Sequence, residues 1–144
     1  MKLLVIDDEE EILNMLKRKL SVEGYEVVTV TEPHKAIDLM KTELFNLVLC
    51  DIKMPGMNGV DLLKILKQIN PLAIIIMMTG YSSMSYVVDC LGSGAMDYFV
   101  KPFEDLETIR KVLDEARYRI KRWQDVLRLR SVHGTNMAFG TSGP

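Results

Sequence analysis

Short apolar runs recur along the chain with amphipathic stretches between them. Residues 2–7 ("KLLVID"), 26–30 ("EVVTV"), 46–51 ("NLVLCD"), 73–79 ("AIIIMMT") and 97–101 ("DYFVK") read as five strands. Leu47, Val48, Leu49 and Cys50 leave no polar side, which predicts a strand buried on both faces. The intervening stretches have helical spacing. Ile12, Leu16 and Leu20 recur every four residues, and Ile37 and Met40 follow less regularly. Leu62, Ile65, Leu66 and Ile69 line a third face, and Met84, Val87, Val88 and Leu91 a fourth. Start signals agree: Asp8 with Glu11 resembles a capping box, Thr31 precedes Glu32-Pro33, and Asn58 with Asp61 opens the third helix.

Strict alternation of strands and helices predicts an α/β protein, a doubly wound parallel sheet with helices on both faces. Right-handed crossovers then bring the strand carboxyl ends to one edge, where ligands bind. The residues at those ends carry chemistry. The first strand ends in Asp7-Asp8, the third in Asp51, the fourth in Thr79-Gly80 and the fifth in Lys101-Pro102. Three carboxylates at one crevice repel one another unless a cation joins them, and Mg²⁺ accepts carboxylate and phosphate oxygens. Asp51 opens the loop "DIKMPGMNG", in which Pro55, Gly56 and Gly59 mark turns. Three acids, a hydroxyl and an ammonium, with no Gly-rich phosphate loop, make a phosphoryl-transfer site. A carboxylate there can itself be the nucleophile. Isolated, each residue has an ordinary use: Asp8 as a helix cap, Asp51 and Thr79 as turn residues, Lys101 as a surface charge. All of them at one sheet edge would be a coincidence.

The ordered motifs "VIDDEE", "LVLCDIKMPGMNG", "MMTG" and "YFVKPF" resemble the receiver domain of two-component response regulators, over residues 1 to roughly 120. The resemblance implies a five-stranded flavodoxin-like sheet in the order 2-1-3-4-5. It implies that Asp51 is the phosphoacceptor, and that Asp8 and Asp51 ligate Mg²⁺ directly with the backbone carbonyl of Lys53, Asp7 acting mainly through water. Mn²⁺ would substitute. Lys101 would contact the phosphoryl group and Thr79 would hydrogen-bond it. Tyr98 would be the aromatic switch residue and Pro102 the site of a cis peptide bond. The donor would be a sensor histidine kinase or phosphotransfer protein, and the response a change on the face of the fourth helix, fifth strand and fifth helix. The competing class is a Mg²⁺-dependent phosphohydrolase with an aspartyl nucleophile. That class places a second acid two residues after the nucleophile, where this chain has Lys53, so a regulatory phosphoacceptor and not an enzyme is expected.

Composition refines this picture. The 144 residues suffice for one domain with a core. The longest apolar run, Leu72 to Met78, is too short to span a bilayer, and no basic-apolar leader opens the chain, so a cytoplasmic protein is expected. Cys50 and Cys90 have no metal-ligand spacing and read as buried thiols. His34 and His133 read as surface residues, Met54 and Met57 as loop filler, and Ser82, Ser83 and Ser85 as helix caps. The net charge of −2 is uneven: residues 1–116 hold 12 Lys/Arg against 19 Asp/Glu, whereas residues 117–144 hold 6 against 1. The acidic body argues against direct nucleic-acid binding. In the basic end, Leu106, Ile109, Leu113, Ala116, Ile120, Trp123 and Leu127 alternate spacings of three and four, a heptad pattern. It predicts a last helix extended to about residue 130. Ile120, Trp123 and Leu127 would form a dimer seam; the face of fourth helix, fifth strand and fifth helix is the other route to a homodimer. The expected division is a receiver domain at 1–120, a basic helical extension at 121–130 and a disordered tail at 131–144.

Overall fold

The computed structural model describes residues 1–103 and 105–133. Five strands form one parallel sheet: β1 (Lys2–Ile6), β2 (Glu26–Val30), β3 (Leu47–Asp51), β4 (Ile74–Thr79) and β5 (Asp97–Val100), in the order β2-β1-β3-β4-β5. The helices are α1 (Glu10–Val22), α2 (Pro33–Thr42), α3 (Gly59–Ile69), α4 (Val87–Gly92) and α5 (Leu106–His133), with a 3₁₀ turn at Tyr81–Tyr86 before α4. The chain is therefore a doubly wound flavodoxin-like α/β protein. Every residue of β3 and β4 is buried, as continuous apolar runs in a two-sided parallel sheet require.

Alternation along each strand sends side chains to two cores. Leu4, Ile6, Val48, Cys50, Ile75 and Met77 join buried residues of α2 and α3 and Cys90 of α4 in one cluster. Leu3, Val5, Leu47, Leu49, Ile76 and Met78, on the alternate positions, are buried as well. Leu13, Leu16 and Leu20 are the buried stripe of α1, which lies against β2. Leu13 thus takes the place on the inner face that the spacing assigns to Ile12.

Three local assignments are corrected. Asp8 does not cap α1: Glu9 is the cap residue, and its N–H donates instead to Asp7 Oδ1 at 2.8 Å. Glu32, not Thr31, precedes α2, with Pro33 in the first turn and no side-chain cap bond. Around α4, Val87 and Cys90 face inward, whereas Met84, Val88 and Leu91 are exposed. The 3₁₀ turn has three residues per turn, so the phase of an α-helical stripe begun at Met84 is lost before Val87.

The chain divides into two compact units, Met1–Ile109 and Arg110–Pro144. In the latter, α5 runs unbroken through residues 120 and 130 to His133, so the first three residues of the expected tail are helical. Residues 134–144 lie outside the described residues. Along α5, Leu113, Ala116 and Ile120 are buried, whereas Tyr118, Trp123, Val126 and Leu127 are exposed. Of the expected seam residues, Ile120 is buried and Trp123 and Leu127 are exposed. Among the described residues, no helix is long and apolar enough to cross a membrane.

Candidate phosphoryl-transfer site

β1 and β3 pair with Ile6 opposite Cys50, so one further step in register sets Asp7 beside Asp51. Both are buried, at 0% and 3% exposure, while Asp8 is exposed. One carboxylate oxygen from each of Asp7, Asp8 and Asp51 lies within 4.8 Å of the others. Lys101, just past β5, brings Nζ to 2.7 Å from Asp7 Oδ2, 3.1 Å from Glu9 Oε1 and 3.4 Å from Asp51 Oδ1. The Lys101–Pro102 peptide is cis.

The loop after β3 is shaped to keep this strand end open. Gly56 has φ +89°, a left-handed turn that other residues adopt only under strain. Asn58 accepts the Val60 N–H at 2.7 Å and so caps α3. Gly59 follows, because a Cβ there would collide with the backbone of Asp51 and Ile52. Its N–H donates to Ile52 O at 2.6 Å, which pins the start of α3 directly against the end of β3. The result is a cleft of about 500 Å³ lined by Asp8, Glu9, Asp51, Lys53, Met54 and Ser83 among others.

Burial dominates the electrostatics. It pushes the Asp51 carboxyl up to about 7; repulsion from Asp7 adds to this and the Lys101 ammonium opposes it. Burial likewise raises Asp7 against the opposing pull of Lys101. Lys101 loses hydration too, but Asp7, Asp51 and Glu9 outweigh that loss and its pKa is raised. One ammonium cannot balance these acids. Asp7 Oδ2, although beside Lys101, accepts no aligned hydrogen bond. A crowded set of hard carboxylate oxygens, more than one ammonium can neutralise, fits a small divalent cation such as Mg²⁺.

The fourth strand brings Thr79 to the same edge, fully buried. Its hydroxyl lies 2.8 Å from Ser83 Oγ and 3.0 Å from Gly80 O. Tyr98 pairs with Met77 across β4 and β5, diagonal to the Thr79–Val100 pair, and its half-buried ring packs against the α2–α3 core. Two residues escaped the sequence reading. Glu9 shares Lys101 with the aspartates, and an acid at a helix start is ordinary without that contact. Ser83, expected as a cap, is 2% exposed and holds Thr79 instead.

A parallel sheet in this order, with an acidic cluster, a lysine and a threonine at its strand ends, defines a flavodoxin-like protein of the receiver type. The chain belongs to the response regulator receiver domain family, whose model matches residues 3–129, and it is thus the receiver domain of a two-component response regulator. It is 38% identical over 114 residues to the transcriptional regulatory protein ZraR of Klebsiella oxytoca, covering 79% of this chain and 26% of that protein. It is 34% identical over 124 residues to the transcriptional regulatory protein CpxR of Escherichia coli (strain K12), covering 86% and 52%. The chain therefore spans between a quarter and about half of these relatives. A solved CheY-like receiver domain protein from Methanospirillum hungatei JF-1 superposes with a TM-score of 0.77 at 34% identity, covering 84% of this chain and 97% of that one.

Proposed function

We propose that this domain is a phosphorylation-activated switch in which Asp51 accepts a phosphoryl group from the phosphohistidine of a sensor histidine kinase or phosphotransfer protein. The observation that carries the proposal is the buried Asp51 carboxylate set among Asp7, Asp8 and Lys101 at the mouth of a cleft. An oxygen of Asp51 attacks phosphorus, the phosphorus–nitrogen bond to the donor histidine breaks, and its imidazole departs. Mg²⁺, or Mn²⁺ in its place, would be held by Asp8, Asp51 and the Lys53 carbonyl, with Asp7 behind a water, and would screen the acids from the incoming phosphoryl oxygens. Lys101 would release part of its hold on Asp7 and Asp51 to meet those oxygens. Thr79 would donate its hydroxyl to one of them, and Tyr98 would turn inward as Thr79 moves.

The new group carries roughly −1.5 to −2 charges and three strong acceptors, enough to bias a two-state element. The change would appear around α4 and β5, and α5 would carry it to an output domain or partner. Lys53 sits where a phosphohydrolase needs an acid, which favours a persistent signal over turnover. This reading sets the protein in the cytoplasm with its kinase. With Mg²⁺ and acetyl phosphate, the chain should gain one phosphoryl group by intact mass, and EDTA or Asp51→Asn should each abolish the gain. Gain that survives Asp51→Asn overturns the assignment.

The division into a receiver at 1–120 and a basic helical extension belongs to the same proposal. Exposed Trp123, Val126 and Leu127 form one stripe on α5 and would pair with a second copy. Arg119 and Arg128 lie beside Glu115 and Asp125 on their own helix, at 3.8 and 3.3 Å, which lowers repulsion between copies. Sedimentation of the full chain should show a dimer that Trp123→Glu dissociates; a wild-type monomer at high micromolar concentration excludes it.

A further inference from the structure

Thr79 is not idle in this structure: its hydroxyl is engaged in a buried triangle that the switching reaction has to open. Thr79 Oγ1 and Ser83 Oγ are 2.8 Å apart, Thr79 Oγ1 is 3.0 Å from Gly80 O, and Ser83 Oγ is 3.2 Å from the same carbonyl. Gly80 O also accepts the Ser83 N–H at 3.1 Å. The two hydroxyls hold two protons between them, so only two of the three hydroxyl contacts are made at once. In one arrangement Thr79 donates to Ser83 and Ser83 donates to Gly80 O. In a second, Ser83 donates to Thr79 and Thr79 to Gly80 O; a third, with both donating to Gly80 O, would leave the two hydroxyl oxygens 2.8 Å apart with no proton between them.

In the second, Ser83 turns its hydroxyl to Gly80 O as Thr79 departs; in the first, Thr79 leaves by giving up only its donation to Ser83 Oγ. Its proton then passes from Ser83 Oγ to a phosphoryl oxygen, and the Ser83 bond to Gly80 O is untouched. Ser83 is 2% exposed, so the contact is largely shielded from water although it borders the cleft. It also belongs to the 3₁₀ turn Tyr81–Tyr86, which leads directly into α4. The bond therefore ties the chemistry at the end of β4 to the segment whose Met84, Tyr86 and Val88 are exposed.

We propose that Ser83 is the resting-state latch of the switch: it holds the Thr79 hydroxyl in reserve and ties the 3₁₀ turn to β4 until a phosphoryl oxygen on Asp51 draws Thr79 away. Ser83 is a positioning residue, since it acts through Thr79 and does not touch the phosphoryl group. The inference rests on the reading that Asp51 is the phosphoacceptor.

The test uses the full chain with Mg²⁺ and beryllium fluoride, a tetrahedral anionic mimic of a carboxyl-bound phosphoryl group, titrated by ¹⁹F resonance of the bound form. Removing the latch lowers what the mimic must break, while Thr79 keeps its weaker contact to Gly80 O. Ser83→Ala should therefore bind the mimic roughly twofold to fivefold more tightly. On a Thr79→Ala background the same change should have no effect. Amide exchange of residues 82–86 should rise on mimic binding in the wild type, and should already be high in Ser83→Ala. Ser83→Cys, which nearly preserves volume with a weak donor, should tighten binding in the same direction and decides the matter if Ser83→Ala does not fold. Weaker or unchanged affinity in the folded variant overturns the proposal, as does an equal factor with and without Thr79. Failure of the underlying reading shows separately, as mimic binding to Asp51→Asn equal to that of the wild type.

Discussion

The strand-end cleft and the far end of α5 break the same rule in opposite directions. In the cleft, Asp7 and Asp51 are buried carboxylates served by one lysine. On α5, Trp123, Val126 and Leu127 are apolar side chains left open to water. Burying a charge and exposing an apolar stripe are both unfavourable in isolation. The two departures differ in kind and point to different chemistry. In the proposed function, the cleft takes a cation and a phosphoryl group, and the helix takes a second copy of the chain. The cleft is specified atom by atom through distances of 2.7–3.4 Å around Lys101, the helix only by a stripe.

The sharpest way to break this contrast is at Lys101. Lys101→Ala removes the charge that meets Asp7, Asp51 and Glu9, and phosphorylation by acetyl phosphate should slow about a hundredfold or more in a mass-resolved time course. A smaller effect is expected from Gly59→Ala. The added methyl meets the Asp51 and Ile52 backbone, and denaturant unfolding should show a loss of about 1–3 kcal/mol.

Next in size is a pH effect. In the folded chain the Asp51 carboxyl titrates near 7, against about 3.9 when unfolded. Between these values the folded state binds more protons, so in EDTA the stability Asp51 contributes should be full below about pH 4 and lost as pH rises through about 7. Asp7, raised for the same reason, contributes with the same sign. The melting temperature of the wild type should drop by several degrees over that interval, and Asp51→Asn should flatten the drop. The smallest effect sharpens the contrast from the other side. Trp123→Glu should leave the phosphorylation rate unaltered and unfolding of the monomer within about 0.5 kcal/mol.

Much of the fold was readable because buried parallel strands are continuous apolar runs. The strand from 26 to 30 matches β2 end to end. The strand ends overshoot by one residue at Asp7 and Lys101, whose N–H groups still donate to Val30 O and Thr79 O just past the assigned strands. The region before α4 was misread since period arguments assume one helix type, and a 3₁₀ turn shifts the phase. The cleft's main members were legible from their places at strand ends. Glu9 and Ser83 were not: Glu9 meets Lys101 across 92 positions of sequence, and Ser83 has the local sequence of any serine near a helix start. Local pattern carries no information about such distant or concealed partners.

The most direct measurement locates the acyl phosphate itself. The chain is treated with Mg²⁺ and acetyl phosphate, then with borohydride, which reduces an aspartyl phosphate to homoserine, and the peptides are sequenced by mass. Homoserine at position 51, absent when EDTA replaces Mg²⁺, is the predicted result. Homoserine at 7 or 8 instead, or unmodified aspartate at 51 despite a phosphoryl gain in the intact mass, would contradict the account.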